Sequence, residues 1–193
     1  FYRVVQNHLE EFLKQFKWLL TSRQMFEEWK GQLETGGLTD IQRAARYYYT
    51  QRLCYGGRVR NRSFGVSPGR AGKINIVRLE EEMSQVHLRL SGCVIEHLPW
   101  QELVSRYDRP DTFFFIDPPY YKAPYYKHNM ELDDYKEMAG ILGSVKGKFL
   151  LTINDLPEIH EVFKAFSLKE VSLKYSVSCR KPTEGKELIF TNY

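Results

Sequence analysis

An acid followed by two prolines and a tyrosine is the part of this sequence best suited to chemistry. Asp117-Pro118-Pro119-Tyr120 comes directly after the apolar run TFFFI. Prolines lack an N–H, so they end a strand's hydrogen-bond ladder, and each restricts the residue before it. The carbonyls of Asp117 and Pro118 are therefore predicted to be held in place as acceptors beside the Tyr120 ring. A planar group with an amino substituent fits such a slot, because its N–H groups donate and its ring stacks.

The segments around this motif predict an open α/β sheet that places the acid at a binding edge. TFFFI is predicted as a buried strand, apolar on both faces, and KFLLTIN as a second buried strand. From Cys93 onward, predicted strands alternate with predicted helices, and the chain finishes with the strands LKEVSLKYSVS and KELIFTNY. Ligands of open parallel sheets bind just past the carboxyl ends of the strands, where Asp117 is expected.

The remaining segments are predicted to be mainly helical. Apolar positions spaced three and four apart predict a helix over residues 1–30, and IQRAARYYYTQRL and INIVRLEEEMSQVHLRL predict two more. CVIEH predicts a short strand, and WQELVSRY, YKEMAGILGSV and LPEIHEVFKAF predict shorter helices. Thr39 or Asp40 is expected to cap the start of IQRAARYYYTQRL, and Asp133 or Asp134 the start of YKEMAGILGSV. Ser91 with Gly92 is expected to end INIVRLEEEMSQVHLRL.

The charge of the chain is concentrated in one segment. The net charge is +4, yet residues 41–75 contain eight basic residues and no Asp or Glu. This segment carries +8, so the rest of the chain carries −4. Such an uneven charge indicates a polyanionic partner that binds to this segment. The alternative is a solvated surface loop that happens to be basic. The eight residues are Arg43, Arg46, Arg52, Arg58, Arg60, Arg62, Arg70 and Lys73.

Composition excludes several classes of protein. The 193 residues suffice for one domain, or for one domain with a sizeable insertion. The three cysteines give neither a disulfide framework nor metal-ligand spacing, and the histidines show no metal spacing. No stretch has the apolar length of a membrane span, and no signal peptide is visible. We therefore expect a reducing intracellular setting, without a metal or a membrane.

The DPPY motif resembles the catalytic motif of amino-group methyltransferases, and specifically that of DNA adenine methylases. Residues 46–67 are similar to that family's segment before its target-recognition region, and GKFLLTINDLPEI and KELIFTNY resemble the strands after the motif. The closest group is the Dam-like adenine methylases, in which target recognition precedes the catalytic motif. The positions that match the earlier segment are Arg52, Tyr55-Gly56-Gly57 and Arg60-Asn61.

The resemblance implies the fold of S-adenosylmethionine-dependent methyltransferases. That fold is a Rossmann-like α/β sheet with an antiparallel C-terminal hairpin, here lacking its first strands, plus a helical target-recognition insertion. The regions implied are a helical segment over residues 1–38, a basic helical target-recognition region over 39–91, and a catalytic α/β core over 92–193.

The resemblance also implies a reaction and its residues. S-adenosylmethionine would donate a methyl group to the amino nitrogen of an adenine rotated out of double-stranded DNA, with no metal required. Asp117, Pro118, Pro119 and Tyr120 would form the catalytic slot, and Asp117 and Leu98 would contact the cofactor. The protein is expected to be a monomer inside a bacterial or phage-infected cell. The predicted DNA-binding residues are Arg52, Tyr55, Arg58, Arg60, Asn61, Arg62, Arg70, Lys73 and Tyr126.

Two departures from the family pattern concern the cofactor. The family's glycine-rich cofactor loop and its lysine-bearing segment are not found in this chain, so we expect a fragment that binds cofactor weakly on its own. Without the first strands, the strands around the motif are expected to expose apolar edges. Pro99 stands where the family commonly has an acid.

Two other functions remain open at this point. One is an inactive DNA-binding remnant, and the other is a methylase of a different amino group, such as cytosine in DNA or glutamine in protein. Those relatives more often carry Ser or Asn before Pro-Pro, so Asp117 favours adenine.

Overall fold

A computed structural model describes residues 1–57, 62–65, 74–123, 128–175 and 183–193. The chain divides into two compact units, Phe1–Ile95 and Glu96–Tyr193. The boundaries predicted after residues 38 and 91 stay predictions. Within the described ranges, no helix is both long enough and apolar enough to cross a lipid bilayer.

The described part of the first unit is mainly helical. Its core is strongly aromatic, with Phe12, Phe16, Phe26 and Tyr49 almost completely buried. Its elements are α1 (Tyr2–Asn7), α2 (Leu9–Lys14), α3 (Arg23–Glu34), α4 (Asp40–Leu53), a 3₁₀ turn (Tyr55–Gly57) and α5 (Ile76–Ser91).

The single helix predicted over residues 1–30 is wrong, because the chain breaks it twice. His8 has φ −141° and ψ 43°, outside the helical region, and separates α1 from α2. A second break lies between α2 and α3, where the Tyr49 hydroxyl donates to the Leu20 carbonyl and accepts from the Ser22 N–H. A tertiary contact therefore fixes this break, and local apolar spacing does not reveal it.

The predicted ends of the next helices are largely confirmed. Thr39 caps α4 in a capping box: its hydroxyl accepts from the Gln42 N–H at 3.2 Å, and the Gln42 side chain accepts from the Thr39 N–H at 3.1 Å. Asn75 caps α5 through its side-chain oxygen, and the helix ends at Ser91 as predicted.

The second unit has a mixed α/β fold with a four-stranded sheet in the order β1-β2-β4-β3. Strand β1 pairs with β2 in parallel, whereas β4 is antiparallel to both of its neighbours. The elements are α6 (Trp100–Tyr107), β1 (Phe113–Ile116), α7 (Leu132–Leu142), β2 (Lys148–Asn154), α8 (Pro157–Val162), β3 (Ser167–Tyr175) and β4 (Thr183–Thr191).

One face of this sheet forms the core of the second unit. Phe149, Leu151 and Ile153 of β2 are completely buried and pack in one cluster with Tyr135 and Met138 of α7. Because side chains alternate along a strand, Thr152 and Asn154 lie on the opposite face, where both are half-buried. Strand β2 thus carries a core on one side and polar groups near its carboxyl end on the other.

Three sequence predictions for this unit are corrected. Strand β1 is not buried on both faces, since Phe113 is 53% exposed and Phe115 is 66% exposed. The reason is that Phe114 packs with helical residues in the core, whereas Phe113 and Phe115 lie on the opposite face, which the described helices leave exposed. Residues 93–97, all described, form no strand, because no neighbouring strand pairs with them.

The third correction concerns the start of α7. Glu131 is the N-cap residue, and Asp133 and Asp134 lie within the first turn. The Asp134 carboxylate accepts from the Glu131 N–H at 2.7 Å, so it acts as the inner partner of a capping box. Acids in a first turn and at an N-cap are both favourable, which makes the exact first residue hard to predict.

Candidate active site

Asp117 follows the last residue of β1, and its side chain is exposed. The parallel register pairs Ile116 with Leu151, which brings the next residues of the two strands side by side. There the Thr152 hydroxyl donates a hydrogen bond of 2.9 Å to Asp117 Oδ1. The acid therefore lies at the carboxyl edge of the sheet, as predicted, and is held by the neighbouring strand.

The chain that leaves the motif is fixed through its carbonyl oxygens. The hydroxyl of the fully buried Tyr135 donates to the Pro119 carbonyl. Asn154 Nδ2 donates to the Tyr121 carbonyl at 2.9 Å, and the Ala123 N–H donates to the Tyr120 carbonyl at 3.1 Å. Three consecutive carbonyls, from Pro119 to Tyr121, thus accept from α7, from the turn itself and from β2.

The acceptor oxygens of Asp117 and Pro118 come just before these carbonyls in the chain. Among the described residues, no donor bonds to the carbonyl oxygens of Asp117 or Pro118, or to Asp117 Oδ2. The Pro118 ring is buried, which fixes its peptide in place. The predicted slot thus keeps a carboxylate oxygen and two carbonyls for a donor. Tyr120 is half-buried and contacts other residues, so the stacking role of its ring stays a prediction.

A turn anchored by charge follows the slot. Lys122 adopts a left-handed backbone conformation with φ 58°, and its ammonium pairs with Glu158 of α8 at 2.5 Å. This hydrogen bond raises the pKa of Lys122 and lowers the pKa of Glu158. The Lys122 ammonium also lies 5.1 Å from the centre of the Tyr121 ring. Both side chains are substantially exposed, so the ion pair positions the turn more than it stabilises the fold.

A second acid lies beyond the end of the neighbouring strand. Asp155 follows β2, and its Oδ1 is 2.8 Å from His160 Nε2 of α8. This carboxylate is already paired within the protein. Each of the two acids thus has one carboxylate oxygen bonded within the protein, and Asp117 is the one that lies beside carbonyl oxygens without a donor among the described residues.

Leu98, the predicted cofactor contact, is half-buried and precedes Pro99, the N-cap residue of α6. Its role stays a prediction. No group of three or more His, Cys, Asp or Glu side chains with metal-binding geometry occurs in the described ranges.

The predicted DNA-binding residues fall into two groups. Arg52 is exposed and lies 4.0 Å from Glu82, while the Arg62 guanidinium donates to Thr50 Oγ1 at 3.0 Å and lies over the Tyr47 ring. Tyr55 is half-buried. Arg62 therefore already has partners in the protein. The residues that lie outside the described ranges are Arg58, Arg60, Asn61, Arg70, Lys73 and Tyr126.

The two sides of one undescribed stretch, residues 58–61, are brought together by backbone bonds. Cys54 and Phe64 form an isolated antiparallel bridge, and the Tyr55 N–H donates to the Ser63 carbonyl at 2.8 Å. Gly65 fits closely, since a Cβ there would lie 2.9 Å from the Tyr55 backbone. These bonds fix the residues on either side of that stretch within the basic segment.

Arg46, one of the cations of the basic segment, is bonded within the helical unit. Its guanidinium lies 5.1 Å from the centre of the Trp29 ring and donates to the Gln42 carbonyl at 3.2 Å. Burial lowers the pKa of this guanidinium. Arg46 thus contributes to the helical core, and not every cation of the segment is available to a polyanion.

Sequence reasoning missed the residues that hold the motif, namely Thr152, Asn154 and Tyr135. Thr152 and Asn154 could have been found from the sequence. KFLLTIN was predicted as a second buried strand of the sheet that contains TFFFI, and alternation places positions 152 and 154 on one face. Tyr135 carried no such signal, because its bond to Pro119 depends on how α7 packs against the sheet.

Comparison with known proteins shows the family of the chain. The family model of the D12 class N6 adenine-specific DNA methyltransferases matches residues 1–177, so the chain belongs to this family. The chain is also similar to the Type II methyltransferase M.CviBI of Paramecium bursaria Chlorella virus NC1A, with 23% identity over 154 residues. The matched region covers 77% of this chain but only 58% of that relative.

Proposed function

We propose that the protein containing this chain transfers a methyl group from S-adenosylmethionine to the N6 amino group of adenine in double-stranded DNA. The observation that carries the proposal is a pair of acceptors at the end of β1, Asp117 Oδ2 and the Pro118 carbonyl, to which no described residue donates. Membership of the D12 class supports the choice of adenine and of its N6 atom.

The acceptors at Asp117 and Pro118 address the chemical difficulty of this reaction. An exocyclic amino nitrogen is a poor nucleophile, because its lone pair is delocalised into the ring. Two acceptors that take its two N–H donors would localise that lone pair and direct it toward the methyl donor. The amino nitrogen would gain the methyl group as the donor's bond to it breaks, and the proton then lost from the nitrogen would pass to water. Positioning supplies most of the rate, so Asp117 need not be a strong base.

The cofactor supplies an electrophilic methyl group when bound. We propose that Asp117 and Leu98 face it. An exposed carboxylate at a strand end suits the positive charge of a sulfonium, and a half-buried leucine suits an apolar part of the cofactor. Both residues belong to the second unit, close to the ends of its elements.

We further propose that the four-stranded sheet is part of a Rossmann-like methyltransferase sheet. The parallel pair β1 and β2, connected through α7, supports this assignment, as does the position of Asp117 at the carboxyl edge. In the same reading, residues 1–38, 39–91 and 92–193 are the helical, target-recognition and catalytic regions. The protein would act as a monomer in the cytoplasm of a bacterial or phage-infected cell.

We propose that the basic segment, residues 41–75, binds the DNA. The segment carries eight cations and no acid, and its cations other than Arg46, which packs in the helical core, would neutralise phosphates and release counterions. In the intact protein, Arg60→Ala should weaken DNA binding and reduce the slope of log affinity against log salt by about 1. An unchanged slope would remove Arg60 from the interface.

The activity is tested by sequencing native DNA from cells that express the intact protein, read for N6-methyladenine. We expect methylation at a defined sequence, and its loss in Asp117→Ala with DNA binding retained. Asp111→Ala is the matched control, because Asp111 is an exposed acid just before the same strand. Methylation by Asp117→Ala at the wild-type level would refute the assigned role.

Two further results would replace the proposal. Salt-dependent DNA binding without any cofactor binding by the intact protein would indicate an inactive DNA-binding remnant. Methylated cytosine or methylated glutamine as the product, with adenine unmodified, would indicate a methylase of another amino group.

A further inference from the structure

The hydrogen bond between Thr152 and Asp117 connects two adjacent parallel strands at their carboxyl ends. The Thr152 hydroxyl lies 2.9 Å from Asp117 Oδ1 and 3.5 Å from the Ile116 carbonyl oxygen. A hydroxyl has one hydrogen to donate, and the shorter distance assigns it to the carboxylate. Thr152 is itself half-buried on β2, so its own position is fixed by the sheet.

Without this bond the carboxylate would have more freedom. Asp117 follows the last residue of the strand and has an exposed side chain, so neither the sheet nor the core restricts its rotation. A carboxylate that rotates freely would present either oxygen, in several orientations. The Thr152 bond occupies Oδ1 and leaves Oδ2 without a partner among the described residues.

We propose that Thr152 is a positioning residue that fixes the orientation of the Asp117 carboxylate, so that Oδ2 is the oxygen presented to the amino group of the substrate. The inference rests on the proposed methyl transfer and adds to it the residue that prepares the acceptor. Thr152 acts through Asp117 and does not itself touch the reacting atoms.

The next polar residue on the same strand face supports this role for β2. Asn154 lies two positions further along the strand, and its Nδ2 holds the Tyr121 carbonyl at 2.9 Å. Strand β2 therefore contacts the motif region at two points, one before and one after the two prolines. The peptides between these points contain the Pro118 carbonyl, the other proposed acceptor.

The experiment compares three variants of the intact protein. Thr152→Val keeps the side-chain shape and removes the hydroxyl, whereas Thr152→Ser keeps the hydroxyl. Thr191→Val is the matched control: Thr191 lies on the same face of the sheet, in β4 opposite Leu150, and its hydroxyl donates to the Tyr193 carbonyl. Each variant is measured for single-turnover methyl transfer, for KM toward DNA, for cofactor affinity and for thermal stability.

We expect Thr152→Val to lower the single-turnover rate by on the order of 10- to 100-fold, because misplaced catalytic groups cost rates of this size. KM toward DNA and cofactor affinity should stay within about twofold of wild type, since binding does not need the oriented carboxylate. Thr152→Ser should recover most of the rate, and Thr191→Val should match wild type. A Thr152→Val rate within twofold of wild type, or no recovery by serine, would overturn the inference.

Crystal structures of wild type and Thr152→Val separate this inference from the proposed function. We expect one Asp117 conformer in the wild type and several in the variant, whether or not the protein methylates DNA. An unchanged single conformer in the variant would overturn the positioning role. A wild type that methylates no DNA would refute the proposed function even where the conformers behave as expected.

Discussion

The two ends of the parallel strand pair β1 and β2 are built in opposite ways. At the amino end, donors and acceptors are matched within the protein: Asp108 accepts from the backbone N–H groups of Lys146 and Gly147, and Asn192 bonds to Gly147 and Phe149. At the carboxyl end, Asp117 keeps one oxygen and the backbone keeps two carbonyls without a partner among the described residues.

This contrast distinguishes a structural end from the end that we propose to be functional. A buried polar group that lacks a partner costs free energy, so folded proteins satisfy such groups unless a ligand or water does. The amino end follows that rule, since the side chains of Asp108 and Asn192 bond to backbone groups that are distant in the sequence. The carboxyl end leaves its acceptors without a donor among the described residues and fixes their surroundings, which is the arrangement expected of a preorganised site. Substitutions at the two ends should therefore separate stability from activity.

The largest loss of stability is expected from Gly147→Ala at the amino end. Gly147 is buried, and a Cβ there would lie 2.6 Å from the Thr112 carbonyl oxygen and 3.0 Å from that of Arg109. Both are backbone atoms, so we expect a destabilisation of about 3 kcal/mol, the upper part of the usual overpacking range. Urea unfolding would measure it. The control is Gly140→Ala in α7, where nothing lies within 4 Å of the added atom. Equal stabilities of these two variants would contradict the tight packing of the amino end.

A smaller loss is expected from Asn192→Ala. Asn192 Oδ1 accepts from the Phe149 N–H and its Nδ2 donates to the Gly147 carbonyl, both at 2.9 Å. Removal of both bonds leaves two backbone groups without partners, so we expect about 2 kcal/mol less stability. Methyl transfer per folded molecule should be unchanged, because the slot lies at the other end of the strands. A selective loss of rate, with unchanged unfolding, would break the proposed separation of the two ends.

Tyr135→Phe tests a structural bond at the functional end. The ring stays buried, and the hydroxyl bond to the Pro119 carbonyl is lost. We expect about 1 kcal/mol less stability together with a several-fold lower methyl-transfer rate, since the peptide next to the proposed acceptor is released. Tyr107→Phe is the control, because Tyr107 donates to Glu96 in an exposed position. A stability loss without any change of rate would show that Pro119 does not position the slot.

The smallest effect is expected from Asp108→Asn, and it should depend on pH. Hydrogen bonds from the Lys146 and Gly147 N–H groups lower the pKa of Asp108. The ionised carboxylate therefore stabilises the fold above its unfolded pKa, about 3.9, and this contribution disappears as pH falls through the lower folded value. Thermal melts from pH 7 to pH 3 should show the wild type and the variant converging below about pH 4. Asp111→Asn, an exposed acid with the same charge change, should show no such convergence.

Local patterns in the sequence predicted most elements of the second unit. The helix WQELVSRY corresponds to α6, and KFLLTIN corresponds to β2, with the same first and last residues. The failures occurred where distant residues decide the outcome. CVIEH finds no strand to pair with, and the exposure of Phe113 and Phe115 depends on what covers that face of the sheet.

The candidate site was predicted in part for the same reason. Asp117 could be placed at a sheet edge, because an apolar run ending on an acid and two prolines is a local pattern. The orientation of the Asp117 carboxylate could not be predicted, because the bond from Thr152 depends on the register between β1 and β2. The Tyr135 bond depends on helix packing, which no spacing in the sequence specifies.

The parallel pairing of β1 with β2 also determines when the site forms during folding. Strands β3 and β4 pair between residues close in the chain, beginning with Tyr175 and Thr183, so this pair can form early. The bond from Thr152 to Asp117 spans 35 residues and requires α7 to be in place between the strands. Because closure of such a long loop costs more chain entropy, we expect the carboxylate to become oriented among the last steps of folding. Folding intermediates would then contain the antiparallel strands but not the oriented acid, so the unit would become competent for chemistry only once it is fully folded.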